Sequence, residues 1–515
     1  MNMKTKVNKM RLAKSTAVLA ILATPCLWAG EFSYTGNIGL ETAISTTGER
    51  TQAADAGTEF DNQGRDINLA ALRLEMDSIY RINRQTSLTG RFRAWGDWTN
   101  KLDSAYKEDA DLFAGDDFPG NSWLLAVSSN NYVIDIPELY LDYFFNNFWL
   151  RIGKQQIAWG DALGMRILDD MISSLDVRRH GGIYGLATEE FLDERIGQNG
   201  VRGNARIGNN WEIEASITDF FPTIVYPAGS AYANLPGSVV VLNDDGVREA
   251  RDKPAYGLRA LGSVLNGQGQ LTLAYTRRPQ SVGVLKFEPA SGLGPLLTTG
   301  ELALTADHPR IDTFGGAFSY SFSADPVGPY AFFNGLIARI EAAYYLDKKY
   351  TNSAPATVLA PPGVLAPPTL GPIPLPQPIP FAGEVIQDDE LSIGFVIEKD
   401  QKLSPNWLST FFLFQGWYRS KSDLNDMYQS LVGKDDWKWW LLSITQPFIN
   451  NELSTTLTVS HDLNGGWFVQ PVVSWRPNQR ISLDVSYNWF KGGTDDVFGP
   501  SEPNEELALR LRSFF

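Results

Sequence analysis

Glu506-Leu507-Ala508-Leu509-Arg510-Leu511-Arg512-Ser513-Phe514-Phe515 is the stretch whose reading decides the fold. Leu507, Leu509, Leu511 and Phe515 share one parity, while Glu506, Arg510 and Arg512 share the other. A period of two with one apolar and one charged face describes a strand that meets hydrocarbon on one side and water on the other.

A strand ending in a terminal Phe resembles the C-terminal assembly signal of bacterial outer-membrane barrels, which implies contact with the barrel-assembly machinery. The N-terminus agrees. Lys4, Lys6, Lys9, Arg11 and Lys14 form a positive n-region, and Ala17 to Ala23 is an apolar core too short to span a bilayer. Residues 1–29 are therefore expected to be a signal peptide cut after Ala29, with Ala23 as an earlier alternative. Residues 30–515 then form one barrel domain. Pro25 before Cys26 argues against a lipoprotein, which needs a small residue there.

Cys26 is the only cysteine and lies inside the expected leader, so the mature chain has no thiol for a disulfide or a Cys-based metal site. The chain holds 44 basic and 59 acidic residues, and loss of the five basic groups of the leader makes it more acidic still. That balance argues against a nucleic-acid partner. After Ala29 no run reaches the roughly 18 apolar residues of a spanning helix. The 15 Trp and 19 Tyr are instead expected as girdles at two membrane interfaces.

Connector lengths separate a membrane barrel from a soluble sandwich or propeller. Alternation along the chain gives about 18 strands, within a range of roughly 16 to 20. Short turns fall at residues 83–84, 146–147, 208–210, 266–269, 450–451 and 477–479. Long polar or Pro/Gly-rich connectors fall at 46–65, 99–131, 158–194, 221–252, 279–310, 349–386 and 420–436. The fold expected is all-β, a transmembrane antiparallel β-barrel with short periplasmic turns and long outer loops. Its expected address is the outer membrane of a Gram-negative bacterium, among outer-membrane lipid and lipopolysaccharide.

Several strands show two faces. Leu453, Thr455, Leu457 and Val459 oppose Ser454, Thr456, Thr458 and Ser460, and Leu72, Leu74 and Met76 oppose Arg73, Glu75 and Asp77. The lumen face is expected to carry Arg73, Glu75, Arg91, Arg93, Arg151, Arg202, Arg206, Arg510 and Arg512. Acids such as Glu138, Asp142, Glu214, Glu341, Asp484 and Glu506 stand on the same face, with Arg510 and Arg512 expected to meet Asp484 or Glu506. Two readings stand: a wall of paired charges that braces strands, and a polar ladder that contacts a substrate.

The densest motif runs from Arg151 to Leu168. Arg151 to Ile157 alternates as a strand, and Trp159-Gly160-Asp161 breaks it at the outer rim. Gly153 admits a close neighbour, and Gly160 permits a positive φ at the exit. An interfacial Trp at an ordinary strand end is the plain alternative.

Arg151, Gly153, Lys154 and Gln155, followed by Trp159, Gly160 and Asp161, resemble the signature of the proteobacterial outer-membrane family known as domain of unknown function 1302. Asp176-Val177-Arg178 and Phe191-Leu192-Asp193-Glu194-Arg195-Ile196 follow in the order that family shows. The resemblance covers nearly the whole mature chain. It implies a large barrel that handles a hydrophobic or amphipathic molecule, alongside a periplasmic lipid-binding-like protein and an inner-membrane exporter. Ser173-Ser174 stands where the family has Asn-Pro, which leaves the conformation of this loop open.

Residues 162–194 show mixed helical spacing at Met165, Leu168, Ile172 and Leu175. They either fold inward, with Arg178, Arg179 and His180 at a narrow point, or cap the outer end. Ala354 to Pro380 is Pro-rich and reads as a semi-rigid extended strut. The acidic group Asp109, Asp111, Asp116 and Asp117 matches no calcium loop, so no metal site is assigned. The three histidines, His180, His308 and His461, lie apart, and Ser460 points away from His461, so no catalytic residues and no cofactor are expected. The function expected is a channel or transport component, with a closed docking component of an export complex as the alternative.

Overall fold

The computed structural model describes residues 30–47, 66–103, 121–160, 166–176, 195–224, 239–243, 252–289, 293, 296, 302–323, 328–352, 356–360, 373–374, 378–379, 381–421, 436–463, 465–493 and 498–515. The expected leader, the acidic group at 109–117, Asp161 and Arg178 to His180 lie outside them.

Eighteen strands form one closed sheet. They are β1 (Glu31–Ser45), β2 (Ile67–Arg81), β3 (Thr86–Asp97), β4 (Tyr132–Phe145), β5 (Phe148–Gln155) and β6 (Gln198–Ile207). There follow β7 (Trp211–Thr218), β8 (Ala255–Val264), β9 (Gly269–Pro279), β10 (Arg310–Ser321), β11 (Ile337–Tyr350) and β12 (Ile386–Gln401). The last six are β13 (Thr410–Lys421), β14 (Asp436–Phe448), β15 (Leu453–Asp462), β16 (Trp467–Asn478), β17 (Ile481–Lys491) and β18 (Glu506–Phe514). Each pairs antiparallel with its sequence neighbour, and β18 returns to β1 with Arg510 opposite Glu41. Closure leaves no edge, as it must where an unpaired backbone group in hydrocarbon costs several kcal/mol.

Alternation sorts the side chains. On β4, Ile134, Leu139, Leu141 and Tyr143 are exposed outward while Val133, Asp135, Tyr140 and Asp142 are buried inward. On β15 and β17 the inner residues Thr458, Ser460, Ser482 and Asn488 are buried and polar, opposite outward Leu457 and Ile481. The outer surface is a belt of Leu, Ile, Val and Phe, which is the surface a bilayer accepts.

The start of β1, the end of β18 and the shortest turns share one end of the cylinder. Asn146, Asn266 and Asn450 take positive φ there, a conformation Asn adopts at low cost. Asn83 Oδ1 accepts from the N–H groups of Gln85 and Thr86 at 2.8 and 2.9 Å. Exposed Tyr34, Tyr143, Phe145, Phe148 and Trp211 ring this end, and Trp98, Tyr132, Tyr256 and Trp467 ring the other. The girdle expectation fails for Trp95, Trp159, Trp417, Trp437 and Trp439, which face inward.

Two features interrupt the regular wall. β5 has only eight residues, fewer than the about nine to eleven that a tilted strand needs to cross a bilayer. The missing upper part of its column is supplied by Ala126–Ser129, which pairs with Tyr132 to Asp135 of β4 above the stretch that β5 occupies. Val127 of this patch is exposed outward, like its neighbours on the wall.

At the long-loop end, residues 302–307 pair parallel with 239–243 and antiparallel with 284–286. Phe287, Leu293, Leu304, Val358 and Ile379 pack there. The Pro-rich loop is not the extended strut expected from its composition. Leu359–Ala360 pairs antiparallel with Ile373–Pro374, and Ala356 exchanges two backbone hydrogen bonds with Ile379, so its two described arms run side by side; residues 361–372 lie outside the described ones. Its apolar residues Val358 and Ile379 have a core to join, which outweighs the extended preference of proline.

Candidate functional site

The motif at the end of β5 turns the chain into the barrel. Gly153 has φ 131°, and a Cβ there would stand 2.8 Å from the Tyr140 Cα and against the Leu139 carbonyl, so only glycine fits. Lys154 is buried and donates to the carbonyl of Leu124, tying the top of β5 to the patch that continues its column. Gln155 is fully buried, with its amide 3.5 Å from the carbonyls of Gly153 and Gly200. Of the two glycines, Gly153 takes the positive φ. What Gly160 supplies is room, since a Cβ there would lie 3.0 Å from Glu341 Oε2.

Trp159 is not interfacial. It is 5% exposed inside the barrel, and its indole N–H donates to Glu214 at 2.7 Å. Residues 166–176 lie in the lumen beside it, with one helical turn at Ile167–Asp170. Ile157, Trp159, Ile167, Leu168, Met171 and Ile172 pack on Ala274 of β9, Ile311 of β10, and Ala343 and Tyr345 of β11. The inward alternative for this loop is therefore the one observed for its described part.

The wall is cut to receive the segment. A Cβ at Gly257 of β8 would come within 2.8 Å of the Trp159 ring and 2.9 Å of Ile172. A Cβ at Gly315 of β10 would meet Met171 and come 2.7 Å from Leu168, and one at Gly394 of β12 would lie 2.5 Å from Ile167. Three inward glycines on three strands form a trough that fits the segment and no bulkier surface.

Asp169 organises the crossing. Its Oδ1 accepts from the N–H groups of Trp159 and Gly160 at 2.7 and 3.0 Å, and its Oδ2 pairs with Arg195. The wall takes further backbone groups: Leu168 N–H donates to Glu341 at 3.3 Å, Arg278 donates to the Asp170 carbonyl at 2.6 Å, and Gln198 donates to the Ile172 carbonyl at 2.8 Å. Irregular backbone at membrane depth is tolerated when protein satisfies it in this way. Ser173, at the position where the family has Asn, donates its hydroxyl to the Asp169 carbonyl at 3.0 Å and accepts from Arg166 at 2.9 Å.

The remaining lumen charges face one another. Arg73 pairs with Glu75 and lies 3.9 Å from Glu41. Arg91 meets Asp77 at 2.6 Å, and Arg93 holds Asp135 with two bonds of 3.2 and 2.7 Å. Arg151 holds Asp142 at 2.7 and 3.0 Å with its guanidinium over the Tyr140 ring. Arg202 and Arg259 share Glu214 at 2.7 and 2.9 Å. Arg206 meets Glu212 at 3.3 Å in the exposed short-turn end. Arg512 pairs with Asp484 at 3.0 Å, and Arg510, which stands opposite Asp484 on β17, also reaches across the seam to Glu41 at 3.4 Å, its partner in the β1–β18 register. Glu506 accepts from Asn68 and Asn488 at 2.7 and 2.9 Å. Most of these pairs tie neighbouring strands together, which is the bracing role.

A cavity of about 350 Å³ lies between the inward segment and the upper wall. Arg166, Ile167, Asp170 and Leu175 form its segment side, and β9 to β14 with residues 280–282 beyond β9 form the rest. Trp417, Trp437 and Trp439 make an aromatic wall, with the Trp417 ring 5.6 and 6.1 Å from the other two and edge-on to both. Arg419 lies over Trp437 at 4.4 Å, and Lys348 bonds Glu390 at 2.9 Å. Sequence reasoning missed this group. Its signal is the period-two pairs Trp417/Arg419 and Trp437/Trp439, whose facing direction the pattern alone does not give.

The family described as "Protein of unknown function (DUF1302)" matches residues 41–513. The chain belongs to it. In this DUF1302 member the matched span runs from the seam residue Glu41 through the inward segment to Ser513 of β18. No curated relative matches the sequence. Among solved structures, the chain is similar to Acinetobacter baumannii OccAB2, at 9% identity over 95% of this chain and 98% of that one, with TM-score 0.49. It is similar to OccAB1 of the same organism at 10% identity over 94% and 96%, TM-score 0.47. The Pseudomonas aeruginosa outer membrane protein opdK gives 9% identity over 94% and 98%, also with TM-score 0.47. At these values the likeness says nothing about what this DUF1302 protein carries.

Proposed function

We propose that this barrel is a selective conduit in the outer membrane of a Gram-negative bacterium, passing a hydrophobic or amphipathic molecule beside its inward segment. The observation that carries this reading is the cavity at the segment, whose lining combines three indoles with charged groups. A purely aqueous pore has no use for such a surface, whereas a small-molecule site is mostly apolar with a few placed polar groups. Passage of such a cargo fits delivery from a periplasmic lipid-binding-like protein and an inner-membrane exporter, the partners that the family resemblance implies. Direction of travel does not enter the proposal.

A closed docking role is the second reading, favoured by the many bonds that hold the inward segment to the wall. Planar-bilayer reconstitution separates the two. A conduit gives discrete conductance steps that enlarge when residues 162–194 are replaced by a short Gly/Ser link. Silence from both proteins overturns the conduit and leaves docking.

A further inference from the structure

We infer that the cavity between the inward segment and β9 to β14 is a binding site for a small amphipathic anion, a flat ring system bearing one acidic group. The inference rests on the conduit reading and names the chemistry of its cargo. The lining carries four basic residues, Arg166, Arg278, Lys348 and Arg419, against two acids, Asp170 and Glu390. Lys348 and Glu390 satisfy each other at 2.9 Å. The surplus is positive, in a barrel whose chain is strongly acidic overall.

Hydrogen-bonding capacity points the same way. Arg278 is 3% exposed, and its Nη1 has no acceptor among the described residues. Arg419 Nε, Trp437 Nε1 and Trp439 Nε1 are likewise buried donors without an acceptor among them. Four donors around one cavity call for a ligand rich in acceptors, and a carboxylate or sulfonate supplies them with charge. The indole wall supplies the other half of the recognition, because the faces and edges of Trp417, Trp437 and Trp439 favour a flat apolar body over an alkyl chain. The volume of about 350 Å³ is at the small end for ligand sites, which suits a fused-ring molecule and excludes a whole lipid.

The test uses the full-length mature barrel in lipid nanodiscs, with empty nanodiscs subtracted. Equilibrium dialysis against radiolabelled 2-naphthoate and against the neutral 2-naphthamide reads the charge preference without any variant. The site predicts that naphthoate binds about tenfold or more tighter. In Arg419→Gln that preference falls to near unity, while Trp439→Leu weakens both probes. Equal affinity for the two probes, binding of neither, or a preference untouched by Arg419→Gln overturns the site. Binding is read apart from conductance: a barrel that binds naphthoate but never conducts keeps the site and loses the conduit. One that conducts but binds neither probe does the reverse.

Discussion

Asp169 and Arg195 stand 26 positions apart and form one buried ion pair in the lumen, their side chains 4% and 10% exposed. The same carboxylate gathers the N–H groups of Trp159 and Gly160, so a single group fixes the start, the middle and the return of the inward segment.

Asp169→Asn keeps the shape and removes the charge. Breaking a buried pair while leaving the partner charged costs about 3–5 kcal/mol, and the cost falls on the segment rather than on the strand ladder. Single-channel conductance should rise, while the heat-induced gel shift of the barrel stays as in the parent. Unchanged conductance would show that the segment is held without this pair.

Gly315 and Gly316 are neighbours on β10 that face opposite ways. Gly315→Val drives a side chain into Met171 and Leu168, whereas Gly316→Val meets nothing closer than the Thr272 carbonyl at 3.5 Å. The first should displace the segment and enlarge the conductance; the second should leave it alone. Equal effects from the two would remove the trough from the account.

The seam offers a thermodynamic cycle. Arg510→Ala leaves Glu41, 6% exposed, with a more distant cation in Arg73, and loss of one partner of such a buried pair costs about 1–3 kcal/mol. Urea unfolding of the folded barrel should register that loss. Glu41→Gln combined with Arg510→Gln should recover part of it, because the two positions are coupled. Additive effects in the double variant would mean that no coupling exists across β1 and β18.

His308 sits beneath the long-loop end, 4% exposed, with its Nδ1 donating to the Gln280 carbonyl at 2.8 Å. Burial pushes its pKa below the ordinary imidazole value, an effect opposed by that hydrogen bond and by Asp307. The folded loop thus holds the neutral ring, and the opened loop takes up a proton first. Stability is complete above the ordinary value of about 6.5 and is lost as the pH falls below it towards the depressed one. Hydrogen exchange of residues 281–289, corrected for the intrinsic rate, should accelerate from pH 7.5 to 5 in the parent and stay level in His308→Asn. A level profile in the parent would refute this.

The strand pattern was legible wherever the lipid and lumen faces differ in chemistry. Leu453 to Val459 against Ser454 to Ser460 sorts itself, because every outward residue is apolar or Thr and every inward one carries a hydroxyl. Trp437 and Trp439 follow the same period yet read as a girdle, since an indole suits a membrane interface and a ligand wall equally well. Arg510 was read against acids of neighbouring strands and does stand opposite Asp484, but its contact with Glu41 is set by the register of closure, which neither strand encodes alone. The glycines at 257, 315 and 394 carry no local mark of their purpose. Each is small because of a side chain on the inward segment, far away along the chain. Where β5 ends was visible in Gly153 and Trp159-Gly160; that the chain then enters the barrel was not, because inward and capping loops share the same polarity and length.

The patch at Ala126–Ser129 bears on the order of assembly. The gap left when β5 turns inward is filled by residues that precede β4, and the tie between the two pieces, Lys154 to Leu124, spans 30 positions. The closing of this loop is short-range and entropically cheap. Completing the wall here therefore joins residues about 30 positions apart, whereas the final seam brings together β1 and β18 from opposite ends of the sheet.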